Sequence, residues 1–459
     1  MSADGLTSAR SKMADAGVSQ AAIDVFSHYY RQLEEGATGL IAESDISSLP
    51  APTRLDDVAL DPDAARAALD ATVIIKLNGG LGTSMGMDRA KSLLEVAQGR
   101  TFLDLICDQV RHARSTYGAR LPLLFMDSFR TSADTLAALA AHPDIAVEGL
   151  PLDFVQSQEP KLRTDDLTPV TWEADPSLEW CPPGHGDLFP SLLDTGILRR
   201  LVDAGYRYAS VSNSDNLGAT PDPALAGWFA GTGAPYAAEV CRRTAADLKG
   251  GHLAVRTADG RIILRESAQT DPADMGAFTD PSRHAYFNTN SLWFDLAQVL
   301  QVLTERGGVL GLPLIRNIKT VDPRDPSSPE VYQIETAMGA AVEVFEGATA
   351  IEVGRERFLP VKTTNDLLLL RSDVYDVTPA GEVVRVSEAT PLIDLDSRFY
   401  KRIADFEARF PAGPPSLRAA RTVSVSGDWT FEAGVVCEGD VELEDAGEPR
   451  TVPADTTLR

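Results

Sequence analysis

The chain has 459 residues, 44% of them apolar, with 35 glycines and 29 prolines, a profile that buries one large core and a second, smaller one. Its formal charge of −25 excludes a nucleic-acid-coating role, because phosphate-backbone binding draws on a basic field; small phosphate substrates stay open, since a few local donors suffice for them. No run reaches the roughly 18 uninterrupted apolar residues of a membrane span and the first residues lack the apolar core of a secretory signal, so a cytoplasmic protein is expected, and Cys107, Cys181, Cys241 and Cys437 stand too far apart to suggest zinc or a disulfide framework.

Residues 1–70 read as a helical region, amphipathic over 21–33 and interrupted by the prolines of Leu49-Pro-Ala-Pro52. A β-branched strand over 71–77 ends in glycines, as a buried parallel strand feeding a phosphate loop should. Helical patterns at 102–116, 132–141 and 188–204 then alternate with strands at 121–126 and 208–212. That alternation predicts an α/β fold over 71–375, a Rossmann-like, mixed and mostly parallel sheet wrapped by helices. From 376 to 459 the character changes, and after Phe410-Pro-Ala-Gly-Pro-Pro415 short apolar alternations punctuated by glycine resemble the rungs of a short β-solenoid. So few rungs cannot bury their own edges, so this segment is expected to dock on the main domain or on a second subunit, a route to a homo-oligomer, and to contribute no catalytic residue.

Lys76-Leu-Asn-Gly-Gly-Leu-Gly-Thr-Ser-Met-Gly86 puts four glycines within eight positions directly after a strand, letting backbone N–H groups approach a ligand closely. The spacing departs from the dinucleotide fingerprint, and Ala90 stands where a P-loop needs its second glycine. Lysine is scarce here, eight against 34 arginines, so Lys76, Lys91, Lys249 and Lys362, all in glycine-rich or otherwise special segments, point to sites wanting a compact ammonium. Asp215 closes the strand before it, where open α/β sheets bind ligands, although an Asx turn would place an aspartate there too. His185 lies in Pro182-Pro-Gly-His-Gly-Asp187, too rich in glycine and proline for a regular element, which favours a ligand contact; Asp187 is either a helix cap or a ligand group. Asn288 and Asn290, alternating along a strand, are expected to share one face.

The glycine loop followed by Lys91-Ser92-Leu93 resembles the signature of eukaryotic-type UTP–glucose-1-phosphate uridylyltransferases. Pro182-Pro-Gly-His-Gly-Asp187, Asn213-Ser-Asp-Asn-Leu-Gly218, Leu248-Lys-Gly-Gly251, Phe287-Asn-Thr-Asn290, Gln333-Ile-Glu-Thr-Ala337 and Phe358-Leu-Pro-Val-Lys-Thr363 match in the same order, over residues from about 20 to the carboxyl end. The resemblance implies transfer of uridylyl from UTP to glucose 1-phosphate, giving UDP-glucose and pyrophosphate without a covalent intermediate. It implies that Leu77, Gly79, Gly80, Gly82, Gln156 and Gly184 hold the nucleotide. Lys91 and Lys362 would then act on the reacting phosphates, with His185, Asn213, Asn288 and Asn290 on the sugar phosphate, Asp215 on Mg2+, and Glu335 as a weaker candidate. Departures stand at Arg89-Ala90, Val155 and Ser214. The last replaces a family glycine beside the metal ligand and bears on sugar specificity. The competing readings are a UDP-sugar pyrophosphorylase of different or broader sugar preference, a UDP-N-acetylhexosamine pyrophosphorylase, whose loop arginine is missing here, and a catalytically silent sugar-nucleotide sensor, against which Lys91, Asp215 and Lys362 argue.

Overall fold

The computed structural model describes residues 3–244, 247–248 and 250–459; Lys249 lies outside the described residues. Two helices, α1 (Ala3–Asp15) and α2 (Gln20–Glu34), open the chain, and α2 buries Ile23, Phe26, Tyr30 and Leu33 along one face. The same region also supplies strands. Ile46–Ser48 pairs antiparallel with His252–Arg256, and β1 (Thr53–Arg54) lies at one edge of the main sheet.

That sheet is built from β1, β2 (Thr72–Leu77), β3 (Leu123–Asp127), β4 (Asp153–Val155), β5 (Tyr208–Asn213), β6 (Tyr236–Arg242), β7 (Tyr286–Asp295) and β8 (Thr349–Glu352), in the order β1-β8-β6-β7-β5-β2-β3-β4. Only β7 runs antiparallel to its two neighbours along this path; the other pairings are parallel, giving a mixed, mostly parallel sheet with helices on it. Helix α3 (Phe102–Tyr117) starts on a reciprocal cap between Thr101 and Asp104 and stops at Gly118, whose φ of 68° only glycine adopts without strain. After α4 (Ser132–Leu139), the helical pattern expected over 188–204 is two helices, α5 (Leu188–Asp194) and α6 (Ile197–Asp203). Gly196, at φ 72°, breaks the run.

Strand β2 shows why there are two cores. Ile74 faces one cluster, with Phe102, Trp293 and Phe125; Val73 and Ile75 face another, with Leu188, Leu198 and Phe294. The first cluster continues without a gap into the carboxyl-terminal region, taking in Leu417, Val423, Phe431, Val441 and Val452. There β9 (Leu392–Leu395), β10 (Ser416–Val425), β11 (Trp429–Phe431), β12 (Val436–Leu443), β13 (Arg450–Val452) and β14 (Thr457–Leu458) pair parallel, as β9-β10-β12-β14 and β11-β13. Asp373 anchors β10 through the Ser416 hydroxyl and the Leu417 N–H at 2.7 and 2.9 Å. Deleting residues 416–459 should therefore lower the thermal unfolding midpoint sharply, since each large buried side chain removed from a core costs about 2–5 kcal/mol. A truncated chain that unfolds at the full-length temperature would mean the shared core carries no load.

Candidate active site

The loops after β2, β3 and β5 are laced together at the carboxyl ends of these parallel strands, the end of an open α/β sheet where ligands bind. The Ser214 N–H donates to the Leu77 carbonyl at 3.0 Å, the Asn78 N–H to Met126 at 2.7 Å and the Gln156 N–H to Asp127 at 2.8 Å. Beneath them lies a buried polar network. Asp127 Oδ1 accepts from Asn78, Thr131 and Thr135 at 2.8 to 2.9 Å, and burial pushes its carboxyl up to about 6 against those hydrogen bonds. Ser214 joins this network, its hydroxyl donating to Asn78 Oδ1 at 2.9 Å. The side chain that replaces the family glycine is buried behind the glycine loop and hydrogen-bonded away from Asp215.

Gly79 lies against the Gln156 side-chain amide so closely that a Cβ there would overlap it, so Gly79, Gly80 and Gln156 come together beside the half-buried Leu77. Gly82 is left-handed at φ 65°, and a Cβ on it would stand 3.5 Å from Lys91 Cγ; the Lys91 N–H returns to the Gly80 carbonyl at 3.1 Å. The loop thus wraps its own lysine. From there the Lys91 ammonium reaches Asp215 Oδ2 at 2.6 Å and the Val361 carbonyl. Asp215 Oδ1 is buried and has no hydrogen-bond partner. The turn is capped by Asn216 instead, whose Oδ1 takes the N–H groups of Gly218 and Leu359 at 3.2 and 2.8 Å while its Nδ2 donates to the Arg357 carbonyl at 3.1 Å. Gly218 packs so tightly on this neighbour that a Cβ would sit 2.6 Å from the Arg357 carbonyl carbon.

Among the described residues no cluster of three or more His, Cys, Asp or Glu is placed to hold a metal. A single carboxylate with one free buried oxygen suits a hard cation whose remaining ligands are phosphate oxygens and water.

Segment 182–187 sits on segment 335–338. The Gly186 N–H donates to Thr336 at 2.8 Å, and Gly184, at φ 78°, leaves no room for a Cβ, which would lie 2.6 Å from the Thr336 carbonyl oxygen. His185 Nδ1 accepts the Met338 N–H at 3.0 Å, so that nitrogen is unprotonated and Nε2 carries the ring's N–H. Removal from water drives the imidazole down to about 4. Asp187 holds the N-cap position of α5, but its side chain caps no backbone N–H of that helix and is not open to a ligand. It is buried, and its Oδ2 accepts the Ser157 N–H at 2.6 Å and the Ser191 hydroxyl at 2.7 Å, tying the residue after Gln156 to the His185 segment.

Asn290 donates to Asn213 Oδ1 at 3.0 Å, and Asn288 Oδ1 accepts the Asn290 N–H at 3.3 Å, so all three come together. The regular alternation expected of Asn288 and Asn290 does not hold. Strand β7 is bulged between Asn288 and Ser291, with Asn290 in the left-handed region at φ 59° and the Thr289 hydroxyl plugging the gap onto the Glu239 carbonyl at 2.7 Å.

Lys362 stands apart from these contacts. It is exposed, 6.0 Å from the centre of the Phe358 ring, and makes no ion pair among the described residues. Residues 358–361, strand-like in composition, do not form a strand. Pro360 forms one isolated bridge to Asn216, and Lys362 immediately precedes the helix α7 (Thr364–Arg371), capped by Thr363 and Asp366. Glu335 contributes its Cβ beneath Gly184 and its carboxylate to Lys319 at 3.4 Å. Arg402, which sequence reasoning passed over, lays its Cβ and Cγ on Gly86 of the glycine loop; only the fold brings it there.

A family model described as UTP–glucose-1-phosphate uridylyltransferase matches residues 23–438. A barley (Hordeum vulgare) protein named UTP–glucose-1-phosphate uridylyltransferase is 41% identical over 388 residues, 83% of this chain and 79% of its own. The potato (Solanum tuberosum) protein of that name is 37% identical over 445 residues, 94% of this chain and 91% of its own. Among solved structures, a point mutant of UDP-glucose pyrophosphorylase from Leishmania major in complex with UDP-glucose superposes with a TM-score of 0.92 at 42% identity, covering 100% of this chain and 98% of that one. UDP-glucose phosphorylase from Trypanosoma brucei gives 0.92 at 41%, covering 99% and 98%.

Proposed function

The chain belongs to the UTP–glucose-1-phosphate uridylyltransferase family, and from that premise we propose that it transfers uridylyl from UTP to glucose 1-phosphate, with Mg2+, in the cytoplasm. The observation that carries this reading is the Lys91–Asp215 contact just past the end of β5, with the lysine held between the glycine loop and the Val361 carbonyl. A phosphate oxygen of glucose 1-phosphate attacks the α-phosphorus of UTP, the bond from that phosphorus to the bridging oxygen breaks, and pyrophosphate leaves. Both reactants are anionic, so the protein's work is to screen charge and hold the two oxygens in line.

The N–H groups of Gly79, Gly80 and Gly82 face the nucleotide phosphates in this reading, with Lys91 neutralising them. Leu77, Gln156 and Gly184 hold the uridine, and Lys362 closes on the reacting phosphates. Asn213, Asn288 and Asn290 hydrogen-bond sugar hydroxyls. Asp215, whose Oδ1 is buried without a partner, would hold Mg2+, which would supply neutralisation of phosphate charge. The inward turn of Ser214 supports glucose 1-phosphate over a widened sugar site. We read the parallel carboxyl-terminal strands as short β-solenoid rungs, whose open edges suit a homo-oligomer contact.

Pyrophosphate release from UTP and Mg2+ should be fastest with glucose 1-phosphate in a panel of sugar 1-phosphates. Equal rates across the panel would make this a broad UDP-sugar pyrophosphorylase, and no release with any would sink the proposal. His185 donates its Nε2–H to the sugar phosphate as a neutral ring. Because its folded pKa lies below the ordinary 6.5, it is uncharged throughout the physiological range and loses that state only as the pH falls towards about 4. His185→Gln should therefore raise the KM for glucose 1-phosphate without changing the shape of the kcat–pH profile above about pH 5.5. A wild-type limb near 6.5 that vanishes in the variant would contradict a neutral His185.

A further inference from the structure

Lys76 is 1% exposed, sitting one residue before the end of β2 and in register with Ser212 of β5. Its ammonium donates to the Ser212 hydroxyl at 2.8 Å and to the Ala219 carbonyl at 2.9 Å, both neutral oxygens. The charges nearby are engaged with each other. Arg357 binds Glu239 at 2.8 and 3.1 Å and lies 3.6 Å from Asp222, and Glu239 also accepts the Trp293 indole N–H at 3.0 Å. Burial first, and then Arg357, lower the Lys76 pKa to about 7, with Glu239 opposing. A buried ammonium with no carboxylate of its own costs stability, so something other than stability retains it.

The Ala219 carbonyl lies at the far end of the loop that starts at Asn213 and carries Asp215. The near end is already fixed to β2 by the Ser214 N–H on Leu77. We propose that Lys76 is a positioning residue for the reaction, clamping the far end of the Asp215 loop to the strand that feeds the glycine loop, so that Asp215 and the phosphate-binding backbone keep one fixed separation. It acts through Asp215 and touches no substrate. The inference rests on reading Asp215 as the Mg2+ ligand.

The test is full-length Lys76→Met, which keeps the aliphatic stem and removes the charge. The variant should unfold no earlier than wild type, because an uncompensated buried charge has gone. Its kcat should fall, and the Mg2+ concentration for half-activation rise, each by about 10- to 100-fold, the usual cost of losing a group that orients a metal ligand. The KM for UTP should stay within roughly twofold, since the glycine loop is untouched. A folded variant with wild-type kcat and Mg2+ titration overturns the proposal, as does a joint loss of kcat and UTP affinity with the Mg2+ titration unmoved. If Lys76→Met does not fold, Lys76→Leu decides, since it also removes the bond to the Ala219 carbonyl, with the same pattern of shifts supporting the clamp and wild-type behaviour overturning it. Asp215→Asn runs alongside. If it too leaves the Mg2+ titration unmoved, the metal assignment falls, and Lys76→Met is judged on kcat alone, a fall supporting the clamp and no change overturning it.

Discussion

Lys91→Ala should lower turnover by about 10²- to 10³-fold, the scale on which losing one preorganised charge-stabilising donor acts. The lysine is largely enclosed, its side chain 16% exposed, and its ammonium bonds Asp215 at 2.6 Å while the glycine loop turns back around its stem. In such a partly desolvated site an ammonium beside phosphate is worth several times what it would be in water. The substitution should leave the fold intact, because the loop's own backbone bonds, Met85 N–H to Gly82 and Lys91 N–H to Gly80, do not depend on the side chain. Lys362→Ala should also cut turnover by orders of magnitude, and with less effect on stability still, since Lys362 is exposed. Steady-state kinetics with a far-ultraviolet circular dichroism check decide both. Near-normal turnover in a folded Lys362→Ala protein would remove that lysine from the transition state.

Asp215→Asn is expected to raise the Mg2+ concentration for half-activation by about tenfold and to lower kcat with it, because a contact to a charged group is worth about 1.5–3 kcal/mol against about 0.5–1.5 for a neutral one. The amide fills the same volume, and its oxygen can still accept from Lys91. The turn itself is held by Asn216, so the geometry around residue 215 should survive. A Mg2+ titration that superposes on the wild-type curve would move the metal site elsewhere.

Much of this arrangement was legible before the fold. The β-branched run of β2, the amphipathic face of α2 and the helical pattern of α3 announce themselves through local pattern, and the structure keeps them within a residue or two of the expected bounds. The misses are cases where one residue overrides a period. Gly196 splits a continuous helical pattern, and a glycine inside such a run was a readable warning. Asn290 breaks the alternation of β7 by entering the left-handed region, which asparagine tolerates better than most residues. The run before Lys362 has strand composition, but Pro360 cannot donate to a ladder, and Thr363 with Asp366 spelled a helix start instead. Asp187, Arg402 and the tie from Lys76 to Ala219 join residues far apart in the chain, and no local signal carries such pairings.

The contact between Gly218 and the Arg357 backbone has a kinematic meaning. Asn216 bonds Arg357 and Leu359, the Val361 N–H donates to the Asp215 carbonyl at 3.3 Å, and no side chain at 218 keeps the two backbones apart. The turn carrying Asp215 and the stretch leading to Lys362 are therefore fastened as one piece, and that piece is itself tied to β2 through Ser214 and Lys76. The exposed lysine thus reaches a bound nucleotide through its own long side chain, while the carboxylate keeps its place.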